Sequence, residues 1–542
     1  MKKILTSFFL LVCCFVSKAN NVVISNVSIV NNGPGSVQVK FDLSWDNSWR
    51  TNVGPANYDG AWVFFKYKTA GGDWTHLNMS ASNIVMPFGF DYYQNAGSNK
   101  IGTMIFRDDN NLGTGSVSAT NIRIGVISTI PYDIELRGFA IEMVYIPAPV
   151  TSRPVFGDGD GVTESVNALH YADNLATNNS VLPIKCDANG FDDTELETDG
   201  IYVYSNDTIQ TTNPIGTLDP FPTFKSLWCM KYEVVQAAYR DFLNTLTYDQ
   251  QVTRTANPPS SPTGTSALSF GAARNFLEVK TPGVVLTSTP AVYGCDASGN
   301  NVYDEAGDGE WVACNYLAWV DLAAYLDWSG LAPMSELQYE RICRGNSSAG
   351  GNPATLGEYA WGTNTIFGSS YSLTGSFTAS ELASNASIAV GNAAYLTTSS
   401  AGPLRNGIFA TASSNRITSG SSYYGVMEMS GNMPEYCIML GCQAGRSCRL
   451  IPNGNGILSA LGNAQLSVGG TGFWPGMEGN LNLAATTTCS GTCEVTSSGG
   501  IRFRGGSIGD PASSLVVSDR GTTFTPTARA SSRGGRGVLY IR

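Results

Sequence analysis

Cysteine thiols, histidine rings and closely spaced carboxylates are the side chains of this sequence that could do chemistry. The chain has 12 cysteines but only two histidines, His76 and His170, and no pair of cysteines has the C-x-x-C spacing typical of zinc sites. Serine nucleophiles also need a well-placed histidine. We therefore expect neither a zinc centre nor a serine hydrolase, and we predict that both histidines are surface residues.

Two acidic stretches have the spacing of a calcium loop: "DGDGVTESVN" (Asp158 to Asn167) and "DEAGDGEW" (Asp304 to Trp311). The first stretch lacks a glutamate at the twelfth loop position, where His170 stands, and that glutamate normally binds calcium through both oxygens. We interpret both stretches as solvated turns.

The first 19 residues predict a cleaved export signal. Lys2 and Lys3 form a basic start, an apolar run extends from Ile4 to Val16, and Ser17-Lys18-Ala19 has the small-x-small pattern of a cleavage site. The apolar run is too short for a transmembrane helix, and no other long apolar run follows. We expect an exported protein with no transmembrane segment, located in the periplasm, at the cell surface or outside the cell.

The composition narrows the class of partner. A net charge of −11 disfavours binding to nucleic acid or to an anionic membrane. With 42% hydrophobic residues, the chain can still build real cores. In an exported chain, disulfides are expected for some cysteines, with Cys489 and Cys493 in "CSGTC" as a candidate pair, and other cysteines are expected to be buried thiols.

Two units are predicted along the chain, which together give an α+β fold class. Residues 20–138 contain alternating apolar stretches, among them "SVQVKFDLSW" and "AWVFFKYKTA", which predict an N-terminal β-sandwich. Its Trp45, Trp49 and Trp62 fit either a carbohydrate-stacking face or ordinary core packing, and packing is favoured. Residues 139–542 contain two helical patterns, Glu233 to Thr247 and Tyr316 to Leu331, among many loops rich in Gly, Ser and Thr.

The second unit resembles the formylglycine-generating enzyme (sulfatase-modifying factor) family, which has a C-type-lectin-type fold. The resemblance is carried by "MVYIPA", "WCMKYEVVQAAYRDFLN", "LAPMSELQYERICRG", "YYGVMEMSGNMPEY", "FRGGS" and "GGRGV", which occur in the family's order. Some pieces depart from the family: "LAPMSELQYE" replaces "RLPTEAEWE", and "NMPEY" replaces "NVWEW". The resemblance implies a domain with little regular secondary structure over residues 139–542.

The catalytic thiols of that family are missing at the matching position. In the enzymes, two cysteines after the "RGGS" strand hold copper(I), which prefers soft thiolate ligands. Here Ser507 is followed by "IGDPASSLVVSDRG", and Cys489 and Cys493 lie upstream of the motif. Copper is therefore not expected, and the related iron-dependent sulfoxide synthases would need a histidine cluster that this chain lacks.

The resemblance also implies calcium, which the family binds in the loop before its "GN-x-W-E" motif. Carboxylates and backbone carbonyls are suitable ligands for Ca²⁺. The alternative is that Glu435 pairs with a core arginine and no metal binds. The matching residues are Glu428, Ser430, Gly431, Met433 and Glu435, with a second set at Asn392, Ala393, Asn406 and Ile408.

The stretch 501–542 resembles the variable segment of proteins that diversity-generating retroelements rewrite by adenine mutagenesis. In that resemblance, Arg504, "SDR" (Ser518 to Arg520), Arg529, Arg533 and Arg536 form a fixed frame. The residues between them would form one exposed ligand-binding face. These residues are Ile508, Gly509, Asp510, Ser513, Gly521, Thr522, Thr523, Phe524, Ala528, Ala530, Ser531 and Ser532.

These observations predict a non-catalytic binding or surface-display protein, with an unknown protein or glycan ligand outside the cytoplasm. Two alternatives stay open: a formylglycine-generating oxidase, and a structural component of the cell envelope or of a gliding-motility apparatus.

Overall fold

The computed structural model describes residues 21–148, 225–268, 273–345, 355–398, 402–439, 443–446, 448 and 451–541, with gaps in some of these ranges, and isolated strand segments between 155 and 203. The predicted export signal, the stretch Asp158 to Asn167 and Thr522 to Phe524 lie outside the described residues. Within the described part, no helix is long and apolar enough to cross a membrane.

Strands make up most of the regular structure. In the N-terminal part they are β1 (Val23–Asn31), β2 (Val37–Arg50), β3 (Asp59–Thr69), β4 (Thr75–His76), β5 (Phe90–Tyr93), β6 (Thr103–Arg107), β7 (Gly113–Gly125) and β8 (Ile134–Ile146). Short strands follow at β9 (Val155–Phe156), β10 (Leu169–Ala172), β11 (Val181–Leu182), β12 (Ile184–Asp187), β13 (Gly190–Phe191) and β14 (Ile201–Val203). The remaining strands are β15 (Leu227–Met230), β16 (Leu277–Thr281), β17 (Val292–Cys295), β18 (Met334–Ser335), β19 (Leu373–Thr374), β20 (Leu382–Ala383), β21 (Glu435–Ile438), β22 (Ile501–Arg504) and β23 (Val538–Tyr540).

Helices are few and short. They are α1 (Gln236–Leu243), α2 (Tyr248–Arg254), α3 (Trp319–Ser329), α4 (Glu336–Arg344), α5 (Arg416–Ser419) and α6 (Gln443–Arg446). The described elements are compatible with the predicted α+β class. The C-type-lectin-type assignment of the second unit still rests on the resemblance in sequence.

One sheet connects the two predicted units. Its strand order is β23-β15-β8-β3-β6-β5, with β4 added to β3. Strand β8 pairs with β3 from Ile134 to Val144 along one edge, and with β15 from Met143 to Ile146 along the other. The predicted boundary between residues 138 and 139 therefore falls inside a single strand.

The N-terminal strands form two sheets packed face to face. The second sheet has the order β1-β2-β7. Phe41 and Trp45 of β2 share a buried cluster with Val63 and Phe65 of β3. Period-2 alternation places these side chains on one face of each strand. Trp45 and Trp62 are buried, as the packing interpretation expected.

The opposite face of the connecting sheet packs against helices of the C-terminal part. Phe64 of β3 contacts Trp328 of α3 edge to face, with ring centroids 5.0 Å apart. The indole Nε1 of Trp62 donates to the carbonyl of Ser329 at 2.7 Å. Both faces of β3 are thus buried, which explains why "AWVFFKY" is almost continuously apolar.

The predicted helices exist with changed bounds. The pattern from Glu233 to Thr247 becomes α1 alone, and Thr247 caps the next helix, α2, through a capping box with Gln250. Helix α3 ends at Gly330, which has a left-handed φ of 75°, as the sequence predicted.

The surface position predicted for His76 is wrong, and the side chain of His170 lies outside the described residues. His76 is 6% exposed, and its Nε2 is 2.7 Å from the carbonyl oxygen of Ile101, because β4 pairs with β3 inside the fold. Cys489 and Cys493 form the disulfide suggested by "CSGTC". The cysteines described as free thiols are all buried: Cys229, Cys295, Cys314, Cys343, Cys437 and Cys448.

Candidate ligand-binding surface

The C-terminal segment (residues 501–541) begins with β22 and ends with β23, and arginines fix its course between the two strands. Arg504 donates to Glu336 at 3.2 Å and to Glu340 at 2.5 Å. Arg520 makes a bidentate pair with Glu336 at 2.7 and 3.0 Å. Since Glu336 and Glu340 lie on α4, both arginines fasten the segment to one helix, and all four charges are shielded from water.

The arginines near the end of the segment are fixed in the same way to other elements. Arg529 makes a bidentate pair with Asp321 of α3, both bonds at 2.8 Å. Arg536 donates to Glu435 at 2.5 Å and is fully buried. Arg533 donates to the carbonyl of Ala528 and lies over the ring of Phe503. Planar guanidinium groups suit such bidentate and stacked contacts, and lysine would not reproduce them.

The residues between the arginines differ from them in exposure. Gly509, Ser513 and Ala528 are exposed. Asp510, Gly521, Ala530, Ser531 and Ser532 are half-buried. Small and polar side chains therefore reach the surface between buried cationic anchors. This set of eight residues is called the display surface below.

Two parts of the display surface lie side by side. A Cβ built on Gly509 would be 3.9 Å from the Cβ of Ser532, although the two residues are far apart in sequence. The carbonyl of Ala530 accepts from the N–H of Tyr316 at 3.0 Å, and the carbonyl of Ser531 accepts from Asn315 at 3.1 Å. The backbone at Ala530 and Ser531 is therefore held by the loop before α3.

Two predicted contact residues have structural roles. Ile508 is 8% exposed and packs with Leu404, Phe409 and Met433, so it lies beneath the display surface, contrary to prediction. The carboxylate of Asp510 accepts from the N–H and the hydroxyl of Ser507, at 2.8 and 2.6 Å. Asp510 thus closes the turn that presents Gly509.

Sequence reasoning overlooked one motif in this turn. Residues 505–509 have the G-x-S-x-G spacing of a nucleophile elbow. Ser507 is only 1% exposed, and its hydroxyl donates to Asp510. Its position is that of a turn-forming residue.

The first predicted calcium set lies in a buried charge cluster. Glu435 binds Arg536, and Glu428 accepts from the N–H of Gly407 at 2.7 Å. A third carboxylate, Glu233, accepts from Asn432 and from the N–H of Met433. Sequence reasoning missed Glu233, although it belongs to the "KYEVV" motif that carries part of the resemblance.

Burial dominates the electrostatics of this cluster. Desolvation raises the pKa of Glu428 to about 7, with Arg536 opposing the shift. Desolvation likewise raises the pKa of Glu233 and of Glu435. The guanidinium of Arg536 already serves as counter-ion to these carboxylates. A divalent cation in the cluster would have to displace Arg536, because the two positive charges would repel each other. As arranged, these residues do not fit a calcium ion.

The other predicted calcium ligands are also engaged. The hydroxyl of Ser430 donates to the carbonyl of Leu515, and the carbonyl of Ala393 accepts from Thr398. The amide oxygen of Asn392 accepts from the N–H of Ser387. Asn406 donates to the carbonyl of Glu233. The remaining members, Gly431, Met433 and Ile408, are buried around the same loops. The calcium assignment stays a prediction from the resemblance, and this donor geometry does not favour it.

Comparisons with known proteins add little to this description. No family model matches the sequence, and no curated protein matches it. Among solved structures, the chain is similar to Treponema denticola variable protein 1, with 11% identity over 74% of this chain and 96% of that chain and a TM-score of 0.29. A likeness at this level carries no argument, so the functional proposal rests on the contacts described above.

Proposed function

We propose that this is an exported, non-catalytic binding protein that presents the display surface on a formylglycine-generating-enzyme-like, C-type-lectin-type scaffold. The observation that carries the proposal is the alternation within the C-terminal segment. Buried or half-buried arginines that pair with carboxylates or carbonyls fix the backbone, and exposed or half-buried small or polar residues lie between them.

This arrangement separates the contact chemistry from the stability of the fold. Substitutions at exposed positions away from special backbone features usually change stability by less than about 0.5 kcal/mol. Removing one partner of a buried ion pair costs about 3–5 kcal/mol. Apart from Asp510, which closes its own turn, side chains on the display surface can therefore change while the arginines keep its shape.

The ligand class follows from charge and location. A net charge of −11 disfavours nucleic acid, and an exported protein meets its ligand outside the cytoplasm. A protein or glycan is the expected partner. The fold alone does not specify which one, because side chains on loops set specificity.

The diversified form of the proposal is tested at the gene. A near-copy of the region that encodes residues 501–542, differing mainly at adenines, should lie close to a reverse-transcriptase gene. Reads from sibling cells should then differ at codons of the display surface other than codon 510 and agree at codons 504, 520, 529, 533 and 536. Differences that fall equally on the arginine codons would contradict the proposal.

The proposed absence of oxidase activity is tested separately. Cys489 and Cys493 are joined in a disulfide, and the sequence has no cysteine after Cys493. Incubation with copper(I), oxygen and a cysteine-containing sulfatase peptide should yield no formylglycine aldehyde above the amount formed without the protein. Formation of an aldehyde would instead identify an oxidase.

A further inference from the structure

Strand β8 has a free edge where its neighbour β15 ends. The two strands pair only over residues 143–146 of β8, and the chain after β15 turns away, since the N–H of Val234 bonds to the carbonyl of Gly535. The other edge of β8 is paired with β3 over residues 134–144. Among the described residues, no strand continues β15 along the first half of β8.

The free edge presents backbone groups without partners. Glu142 faces this edge, because its carbonyl accepts from the N–H of Lys231. Residues of an antiparallel strand direct their N–H and C=O groups to its two edges in turn, so Ala140 and Gly138 face the same edge as Glu142. Neither residue makes a backbone hydrogen bond at this edge within the described part of the chain. Gly138 is half-buried and has no side chain, so the area that it exposes is backbone.

A cavity of 310 Å³ lies against this edge, and Gly138 and Ala140 both line it. Ile24 of β1, Ala238 of α1 and Trp328 of α3 form further parts of its walls. Ile24 and Ala238 are half-buried, so the cavity opens to solvent. None of its lining residues belongs to the C-terminal segment as the structure describes it, so the cavity is a separate site from the display surface.

The two walls of the cavity belong to opposite faces of the sheet that contains β8. A Cβ built on Gly138 would lie 2.6 Å from Ile24, on the side of β1. The next residue, Phe139, packs edge to face on Trp328 of α3, with ring centroids 4.9 Å apart. A folded sheet that approached β8 edge-on would collide with both walls. A single extended chain fits between them, because its side chains point to the two walls in turn.

We propose that an extended peptide segment of a partner protein binds in this cavity as an added strand, antiparallel to β8 and in line with β15. Its backbone exchanges hydrogen bonds with Gly138 and Ala140, and its apolar side chains pack on Ile24 and Phe139. Unpaired strand edges are templates for this mode of recognition, in which backbone bonds give affinity and side-chain pockets give specificity. The protein thereby has a second binding site, which differs from the display surface in reading an extended backbone.

Hydrogen–deuterium exchange on the full chain tests the proposal, with acetyl-Lys-Val-Ile-Val-Lys-amide as the probe. The β-branched residues of the probe favour an extended chain, and its lysines keep it soluble. We expect the amides of Gly138 and Ala140 to exchange at least about tenfold more slowly with the peptide bound, since each gains a backbone hydrogen bond. Unchanged exchange at both amides would overturn the proposal.

Two N-methylated forms of the probe separate strand pairing from simple apolar binding. One carries the methyl group on the isoleucine nitrogen and the other on the nitrogen of the following valine, so both keep the same side chains. In an added strand these two N–H groups face opposite edges. One form should therefore bind about tenfold more weakly than the parent peptide and the other should bind like it, as measured by calorimetry. Equal affinities of the two forms would refute strand addition.

Two proline variants locate the site. Ala140→Pro removes an N–H from the free edge and places a ring in the path of the added strand, while the edge that pairs with β3 keeps its donors. This variant should weaken peptide binding at least about tenfold. Tyr92→Pro is the matched control on β5, the strand at the far end of the same sheet, and should leave the affinity unchanged. Equal affinities of the two variants would show that the peptide lies elsewhere.

Sedimentation of the full chain distinguishes the partner peptide from a second copy of this chain. We expect a monomer both with and without the peptide, because the walls exclude a folded sheet edge from β8. A dimer that the peptide or Ala140→Pro dissociates would make a second copy the occupant and would overturn the proposal.

Discussion

At the scale of single residues, the C-terminal segment contains two kinds of position: buried charged residues and solvent-facing small residues. Arg504, Arg520 and Arg536 are at most 1% exposed and face carboxylates, whereas Gly509 and Ser513 face solvent. A buried charge without its partner is far more costly than a lost surface contact. The same segment therefore contains both the residues most sensitive to substitution and the residues least sensitive to it.

Replacing Arg536 by alanine should lower the free energy of unfolding by about 3–5 kcal/mol, because Glu435 would be left buried without a counter-ion. Ser532→Ala is the matched control on the display surface and should change stability by less than about 0.5 kcal/mol. Urea unfolding followed by intrinsic tryptophan fluorescence measures both. Similar losses for the two variants would contradict this account.

The buried charge cluster also predicts a pH dependence. Burial raises the pKa of Glu428 from 4.5 to about 7 in the folded state, so the folded chain keeps a proton there that the unfolded chain releases. Stability from this group is complete below about pH 4.5 and is lost as pH rises through 7. Glu428→Gln should reduce the loss of unfolding free energy between pH 5 and pH 8 by about 1–3 kcal/mol.

The control for this pH prediction is Glu305→Gln. Glu305 is exposed, so its substitution should leave the pH profile of unfolding unchanged. A Glu428→Gln variant with the wild-type pH profile would show that the carboxyl does not hold a proton at neutral pH.

At the scale of elements, strand β8 and helix α3 organise the molecule. Strand β8 joins the N-terminal strands to β15, and α3 covers the face of β3 that carries Trp62 and Phe64. Helix α3 also holds Asp321, the partner of Arg529. The element that seals the core thus also anchors the C-terminal segment.

The end of α3 gives a prediction at this scale. A Cβ on Gly330 would lie 2.5 Å from Ile101, in addition to the strain of its left-handed φ of 75°. Gly330→Ala should therefore destabilise the chain by about 2–4 kcal/mol, since overpacking adds to the backbone cost. Gly71 has nearly the same φ, 72°, with open space around it, and Gly71→Ala should cost only about 1 kcal/mol. Equal costs in thermal unfolding would contradict the packing between α3 and Ile101.

Sequence patterns predicted individual strands and helices better than they predicted how those elements pair and pack. Alternation identified β2 and β3, and Gly330 marked the end of α3, because local periodicity and a left-handed glycine are visible in sequence. The continuous pairing through β8 was not visible, since the partners of a strand depend on distant residues. For the same reason the arginines were assigned to a frame by resemblance, while their partners Glu336 and Asp321 and the buried position of Ile508 were not foreseen.

At the scale of the whole molecule, the connecting sheet makes the two predicted units depend on each other. Residues 20–138 alone would cut β8 in half and remove the cover from Trp62, Phe64, Met104 and Phe106. We expect this fragment to lack a cooperative thermal transition and to bind a hydrophobic dye, in contrast to the full chain. A fragment that unfolds cooperatively with the stability of the full chain would contradict this dependence.

The measurement that tests the central claim most directly is a complete substitution scan of residues 501–541 on displayed full-length protein, with protease resistance as the measure of folding. The account predicts that most substitutions are tolerated at Gly509, Ser513, Ala528, Ser531 and Ser532, and that almost none is tolerated at Arg504, Arg520 and Arg536. Arginine positions as tolerant as the display surface, or a display surface as intolerant as the arginines, would contradict it.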